Sequence, residues 1–168
     1  MLNPIDTETV ICDGGAVGMF PGQIHEGVAW WIGACLVVTQ KAPSVVVAHN
    51  GHPAIAKFAH RLCEGATNAQ HYACTVRSMG CQTKERLLDT LQQLHGVPGA
   101  WLVAEETEGV TTVRIQLFDE QGVMLDETNG LVEIRRLIAA DRVPIPVNDS
   151  SKGVIQPWPY TPTGRDDL

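Results

Sequence analysis

Basic residues are scarce in this sequence. Twelve Lys and Arg stand against nineteen Asp and Glu, for a net charge of −7. No cluster of Lys or Arg breaks that balance, so the electrostatic footprint that nucleic-acid binding needs is missing. An acidic surface is equally unsuited to anionic membranes. Long apolar runs are lacking too. The most apolar stretch, Gly27 to Val38, falls short of the roughly 20 residues that cross a bilayer. The first residues include Asp6 and Glu8 but no base, unlike the start of a secretory signal. A cytoplasmic location is therefore expected. No Cys-x-x-Cys pair occurs among the five cysteines, Cys12, Cys35, Cys63, Cys74 and Cys81. An odd, scattered set reads as reduced, buried, small hydrophobes rather than a disulfide framework. Internal repeats and low-complexity tracts are absent.

What is present is an alternation of short β-rich and helical runs. Hydrophobic residues make up 44% of 168, enough for one domain with a sizeable core. The pattern predicts strands at Thr9–Cys12, Ser44–Ala48, Gln70–Val76, Ala100–Ala104 and Val110–Phe118. Helices are predicted over Gln23–Thr39, from Pro53 to a stop near Gly65, after a Thr83 N-cap, and from Gly130 to Ala140. Val110–Phe118 alternates cleanly and follows its predecessor too closely for a helical crossover, so it should run antiparallel as an edge or half-exposed strand. The expected fold is a three-layer α/β/α domain, with a mixed, mostly parallel sheet and one antiparallel edge strand. Residues 1–143 form that domain. Residues 144–168, punctuated by Pro144, Pro146, Pro157, Pro159 and Pro162, read as an irregular tail with Trp158 and Tyr160 as potential anchors.

Three segments carry candidate chemistry. Ala48-His49-Asn50-Gly51-His52-Pro53 joins a strand to a helix N-terminus, where parallel α/β sheets bind ligands and where an anion is favoured. Its readings are an ordinary loop, a weak anion site, or, least favoured, a metal site with His49 and His52 but no third ligand nearby. Asp13-Gly14-Gly15-Ala16-Val17-Gly18 is either a phosphate-cradling glycine loop or a plain turn. It lacks both the P-loop ending and the dinucleotide spacing. Glu105, Glu106 and Glu108 crowd the end of the fourth strand. They are a solvated acidic loop, an acid/base pair, or ligands for a hard cation. Cys63 with His60 and Cys74 with His71 lack the orienting third group that an activated nucleophile needs.

Taken together, these segments resemble the first domain of the α-D-phosphohexomutases, the phosphomannomutase/phosphoglucomutase family. Val10-Ile11-Cys12-Asp13 and the glycine loop are similar to that family's opening Asp-Ile-Arg-Gly segment. Val45 to His52 is similar to its strand leading into Gly-Arg-Asp-Gly-Arg. Gly99-Ala100-Trp101-Leu102-Val103-Ala104 resembles the run before its catalytic Ser-His-Asn-Pro. Arg114 to Gly122 resembles the strand that follows. The resemblance covers about Thr9 to Leu125 and extends weakly towards Leu168.

The departures bear on function. By the resemblance, the phosphoserine position falls on Glu105, the following His and Asn on Glu106 and Thr107, and the Pro on Glu108. A carboxylate cannot accept and return a phosphoryl group as that serine does, and the two further acids repel a sugar phosphate. No base stands at Gly14 to Ala16, and the Arg-rich segment reads His49-Asn50-Gly51-His52. Phosphoryl transfer depends on cations that stabilise the moving charge. The family's metal loop, which binds Mg, belongs to a second domain for which this sequence has no room, so no cofactor or metal is expected. The reading is a stand-alone, non-catalytic mutase-like domain for assembly or interaction, tied by resemblance to hexose phosphate metabolism. A subunit of a split intramolecular phosphotransferase and a small-ligand module are the alternatives, with Asp13, Gly14, Asn50 and His52 as the remaining ligand-binding candidates. Expected partners are a second copy or a chain carrying the other mutase domains.

Overall fold

A computed structural model describes residues 5–69, 73–143 and 152–161. Among these residues, eleven elements follow in chain order: α1 (Thr7–Val10), β1 (Gly15–Phe20), α2 (Glu26–Gln40), β2 (Ser44–His49), α3 (Ile55–Thr67), β3 (Thr75–Cys81), α4 (Lys84–Leu94), β4 (Gly99–Thr107), β5 (Val110–Phe118), α5 (Leu131–Ala139) and β6 (Val154–Pro157). The strands form one sheet in the order β1-β5-β4-β2-β3-β6. β4, β2, β3 and β6 are parallel, and β5 runs antiparallel to both of its neighbours. The sheet is thus mixed and mostly parallel, as the sequence pattern implies. The antiparallel strand lies one place in from the edge, because β1 pairs outside it.

That edge was hard to read because β1 is Gly-Ala-Val-Gly-Met-Phe. Glycines depress strand propensity, yet here they fit: a Cβ on Gly15 would lie 2.0 Å from the carbonyl oxygen of Ile115. The strand expected at Thr9–Cys12 is instead a single helical turn, α1, capped by Asp6 Oδ1 accepting from the Thr9 amide at 3.2 Å. β3 lies later than the expected Gln70–Val76, at Thr75–Cys81. Its Arg77, Ser78 and Gly80 hide the strand signal, and its pairing with β2 shifts between Val47 and Ala48, beside Gly80 at φ 71°. Residues 70–72 of the expected strand lie outside the described residues.

The two faces of the sheet are unequal. One cluster joins α1, α2, α3 and α5 to the sheet through Val45, Val47, Leu102, Ile115 and Leu117. α2 buries residues nearly all the way round, as a central helix must. On the other face, α4 sets Leu87 and Leu91 against Val46, Ala48, Met79, Trp101 and Phe118. Thr83 caps α4, its hydroxyl accepting from the Arg86 amide. Gly65, expected to stop α3, lies inside it. A Cβ there would fall 2.0 Å from the Trp30 carbonyl oxygen, and one on Gly33 would fall 2.2 Å from that of Leu62. The two glycines let α2 and α3 touch backbone to backbone.

The Pro-rich segment expected to be irregular supplies β6, parallel to β3; residues 144–151 and 162–168 of it lie outside the described residues. Trp158 stacks on the Arg77 guanidinium at 4.7 Å, and Tyr160 lies 5.0 Å from that of Arg86 while its hydroxyl donates to Asp89 Oδ2 at 2.8 Å.

Gly65→Ala should therefore cost about 3 kcal/mol through enforced separation of α2 and α3. The midpoint of urea unfolding measures it, and a change below about 0.5 kcal/mol would place the helix contact elsewhere.

Candidate functional site

β2 is followed by α3 on one face of the sheet, whereas β3 is followed by α4 on the other, and the chain then crosses to the far side of β2 to form β4. The order therefore reverses between β2 and β4, and the crevice beyond their C-terminal ends is where such sheets place ligands. The segment His49–Ala54 occupies this crevice. β2 ends at His49, level with Leu102, while β4 runs on to Thr107. Asn50 bridges the gap by side chain. Its Nδ2 donates to the Ala104 carbonyl at 3.0 Å, and its Oδ1 accepts from the Ala104 amide at 3.3 Å. An amide side chain offers a donor and an acceptor side by side, so Asn50 acts as one more rung of the ladder.

The same loop consumes its own backbone donors. His49 Nδ1 accepts from the Gly51 amide at 3.0 Å, Asn50 Oδ1 from that of His52 at 3.3 Å, and His52 Nδ1 from that of Ala54 at 3.0 Å. The amides that an anion would seek before α3 are already paired. His52 Nε2 lies 3.2 Å from Glu106 Oε1. A carboxylate only accepts, so the ring presents a hydrogen on Nε2 to Glu106 while its Nδ1 accepts from Ala54. Burial lowers the pKa of His49, which favours its neutral form.

Glu105, Glu106, Thr107 and Glu108 do not form the expected loop. The first three belong to β4, paired with Thr112, Thr111 and Val110 of β5. Glu108 and Gly109 alone make the turn, both at positive φ, 53° and 78°, which is the type I′ pattern of a two-residue hairpin. Strand alternation separates the acids. Glu106 shares the α3 face with Ala104 and reaches His52, whereas Glu105 shares the α4 face with Trp101. They do not meet as an acid/base pair. Among the described residues, no group of three or more His, Cys, Asp or Glu has the arrangement of a metal site.

Asp13 and Gly14 are not brought to this crevice. They precede β1 rather than follow a strand, and Gly14 lies level with Leu117, Ala100 and Val47, so it is the width of the sheet that keeps them from the crevice. β5 and β4 separate β1 from β2, about 14 Å at ordinary strand spacing. Asp13 Oδ2 sits 3.8 Å from Arg114 Nη1. Gly14, at φ 85°, accepts the Leu117 amide at 2.9 Å, and a Cβ there would meet Met124 sulfur at 2.2 Å. Its glycine serves the turn.

Beside the crevice lies an open cleft of about 550 Å³, lined by Asn50, Cys81, Gln82, Thr83, Lys84 and Trp101 among others. The sequence reading missed this cleft, although Lys84 and Thr83 at a helix start and a strand Trp are visible signals. Cys35, Cys63 and Cys74 are buried, and burial pushes each thiol up to about 12. Cys81 is exposed. His60 lies 3.8 Å from Glu64, and His71 falls outside the described residues.

Among solved structures, a phosphoglucomutase/phosphomannomutase family protein from Burkholderia thailandensis superposes with a TM-score of 0.69 over 93% of this chain, at 14% identity. A putative phosphomannomutase from Thermus thermophilus superposes at 0.66 over 95%, at 17% identity. The fold is that of part of a phosphomannomutase. The chain spans 34% of the length of either structure. No protein-family model and no curated protein matches the sequence. In this phosphomannomutase-like fold, the Asn50 rung and the β4–β5 hairpin occupy the C-terminal edge of the sheet.

Asn50→Ala should lower stability by about 1–2 kcal/mol, since Ala104 loses both partners. It should also speed amide exchange at Ala104 more than at Leu102, read by nitrogen-resolved hydrogen exchange. Equal effects at both amides would remove the clamp from the account.

Proposed function

We propose that the chain is a phosphohexomutase-like module that does not itself transfer phosphate and that serves assembly or protein interaction, in the cytoplasm and in connection with hexose phosphate metabolism. The observation that carries the reading is the hairpin. The positions that the resemblance assigns to a phosphoserine loop, Glu105 to Glu108, are three ladder residues and a turn residue. A group that accepts and returns phosphate must present an oxygen nucleophile among cations. Here Glu105, Glu106 and Glu108 crowd negative charge where cations are needed, no Lys or Arg stands among them, and the nearby His52 faces Glu106. The link to hexose phosphates is supported by the fold likeness together with the resemblance of the segments around Asn50 and Ala104.

An interaction role is supported at the other edge of the sheet. All four residues of β6 are exposed, with Val154 at 53% and Ile155 at 41%. Ile155, Pro157, Pro159, Met79 and Trp158 border a groove there. The residues bordering the groove are uncharged, the Arg77 guanidinium lying against the face of Trp158, and no acid stands among them, in contrast to the acidic chain, so the surface is little opposed to association. The occupant is either a second copy or a chain carrying further mutase domains.

Two measurements test the two halves of the reading. Glu105→Ser should take up no phosphate from a glucose bisphosphate above background, read by intact mass. A phosphoserine in that variant would overturn the non-catalytic reading. A native mass spectrum of tagged protein from its own cells should show a second copy or a mutase-domain chain, lost on Ile155→Asp. A monomer at all concentrations would remove the assembly role.

A further inference from the structure

We propose that two copies of this chain pair through the free edge of β6, antiparallel about a two-fold axis at Ile155, so that their sheets join into one. The inference rests on the interaction role assigned to that edge, and it fixes both the occupant and the register.

Among the described residues, β6 has a neighbouring strand on one side only. Its register with β3, and the bond from the Trp158 amide to the Ser78 carbonyl at 2.8 Å, fix which way its main chain points. In a strand the N–H and C=O of one residue point to the same side, and those of the next residue to the other. Val154, Gln156 and Trp158 therefore face β3, whereas Ile155 and Pro157 face outward. Proline has no N–H, so Ile155 carries the one main-chain donor that β6 turns outward. Just before the strand, the Gly153 amide is already bonded to the Thr67 carbonyl at 2.9 Å. The open edge is thus one rung long, with its donor and its acceptor on the same residue.

Such a rung is its own complement. With a second copy turned about a two-fold axis, each Ile155 N–H donates to the Ile155 carbonyl of the other, as in a hydrogen-bonded pair of an antiparallel ladder. The exposed Ile155 side chains meet each other on one face, and Val154 meets Gln156 of the second copy on the other. A strand of different sequence finds no second donor at this edge. Charge points to the same place. Two copies of a chain with net charge −7 repel one another, and Val154-Ile155-Gln156-Pro157 lets them meet where neither strand bears a charged side chain. The opposite edge of the sheet is shut from within. The Met19 amide donates to Gln23 Oε1 at 2.9 Å, the Met19 carbonyl accepts from the Gln23 and Ile24 amides, and the Gly15 amide donates to the Cys12 carbonyl. The sheet therefore extends at β6 and not at β1, and a two-fold pair closes at two copies.

The test uses the purified full chain labelled with nitrogen-15, so that no other protein is present. Sedimentation velocity should show a monomer–dimer equilibrium. At a total concentration about ten times the dissociation constant, exchange at the Ile155 amide should be about fivefold slower than in dilute solution. The Gln156 amide, which faces β3, should not change. Ile155→Pro removes the outward donor and leaves the bonds to β3, since an edge strand tolerates proline where its N–H faces solvent. That variant should be monomeric, whereas Ile155→Val, which keeps the amide, should still pair. The native chain decides the matter even if the proline variant does not fold. A dimer whose Ile155 amide exchanges at its dilute rate would overturn the strand pairing and leave the interaction role of the groove standing. A pure chain that is monomeric at every concentration would overturn the pairing too, and the wider interaction role would then rest on a chain carrying further mutase domains.

Discussion

A two-residue turn governs this fold. Glu108 and Gly109 reverse the chain with both residues at positive φ, which ties β5 to β4 residue by residue from Val110–Thr107 to Phe118–Gly99. That register settles several things at once. Among the described residues it makes β5 the one strand that runs against the rest, and it sends Val113, Ile115 and Leu117 into the core shared with α2 and α5. It also offers β1 an outer partner. At the crevice, it converts positions that the mutase resemblance treats as a loop into paired strand.

β4 then outruns its parallel neighbour, and the molecule meets the excess with side chains. Asn50 substitutes for a missing residue of β2, and His52 reaches Glu106 beyond it. The physical result is a C-terminal edge knitted from within. Backbone amides that parallel α/β proteins commonly offer to anions are paired with His49, Asn50 and His52. The same side chains therefore both stabilise the edge and occupy it.

The order of elements was legible in the sequence wherever burial was continuous. The Val-rich run at Ser44–His49, the Leu face of α4 behind its Thr83 cap, and the alternation of Val110–Phe118 all carry strong periodic signals. The glycine-rich β1 was not legible. Gly15 serves close approach to Ile115 and glycines carry little strand propensity, so the local pattern points to a strand at Thr9–Cys12 and to Gly14 after a strand rather than before one. The hairpin was obscured for a related reason. Glu-Gly is a weaker turn signal than Asn-Gly or Asp-Gly, although two residues flanked by β-branched positions are its mark. The partners of Asn50 and His52 lie more than fifty residues away, and no local pattern reveals such contacts.

The central claim is that Glu105 to Val110 form a closed hairpin rather than an open phosphate-accepting loop, and site-resolved amide exchange with and without glucose 1-phosphate tests it most directly. In an antiparallel ladder closed by a two-residue turn, the amides of Glu105, Thr107, Val110 and Thr112 face the partner strand. The account expects all four to be protected well above the turn residues Glu108 and Gly109, and to be unmoved by the sugar phosphate. Exchange at unprotected rates, or a saturable change at these amides on adding the ligand, would contradict it.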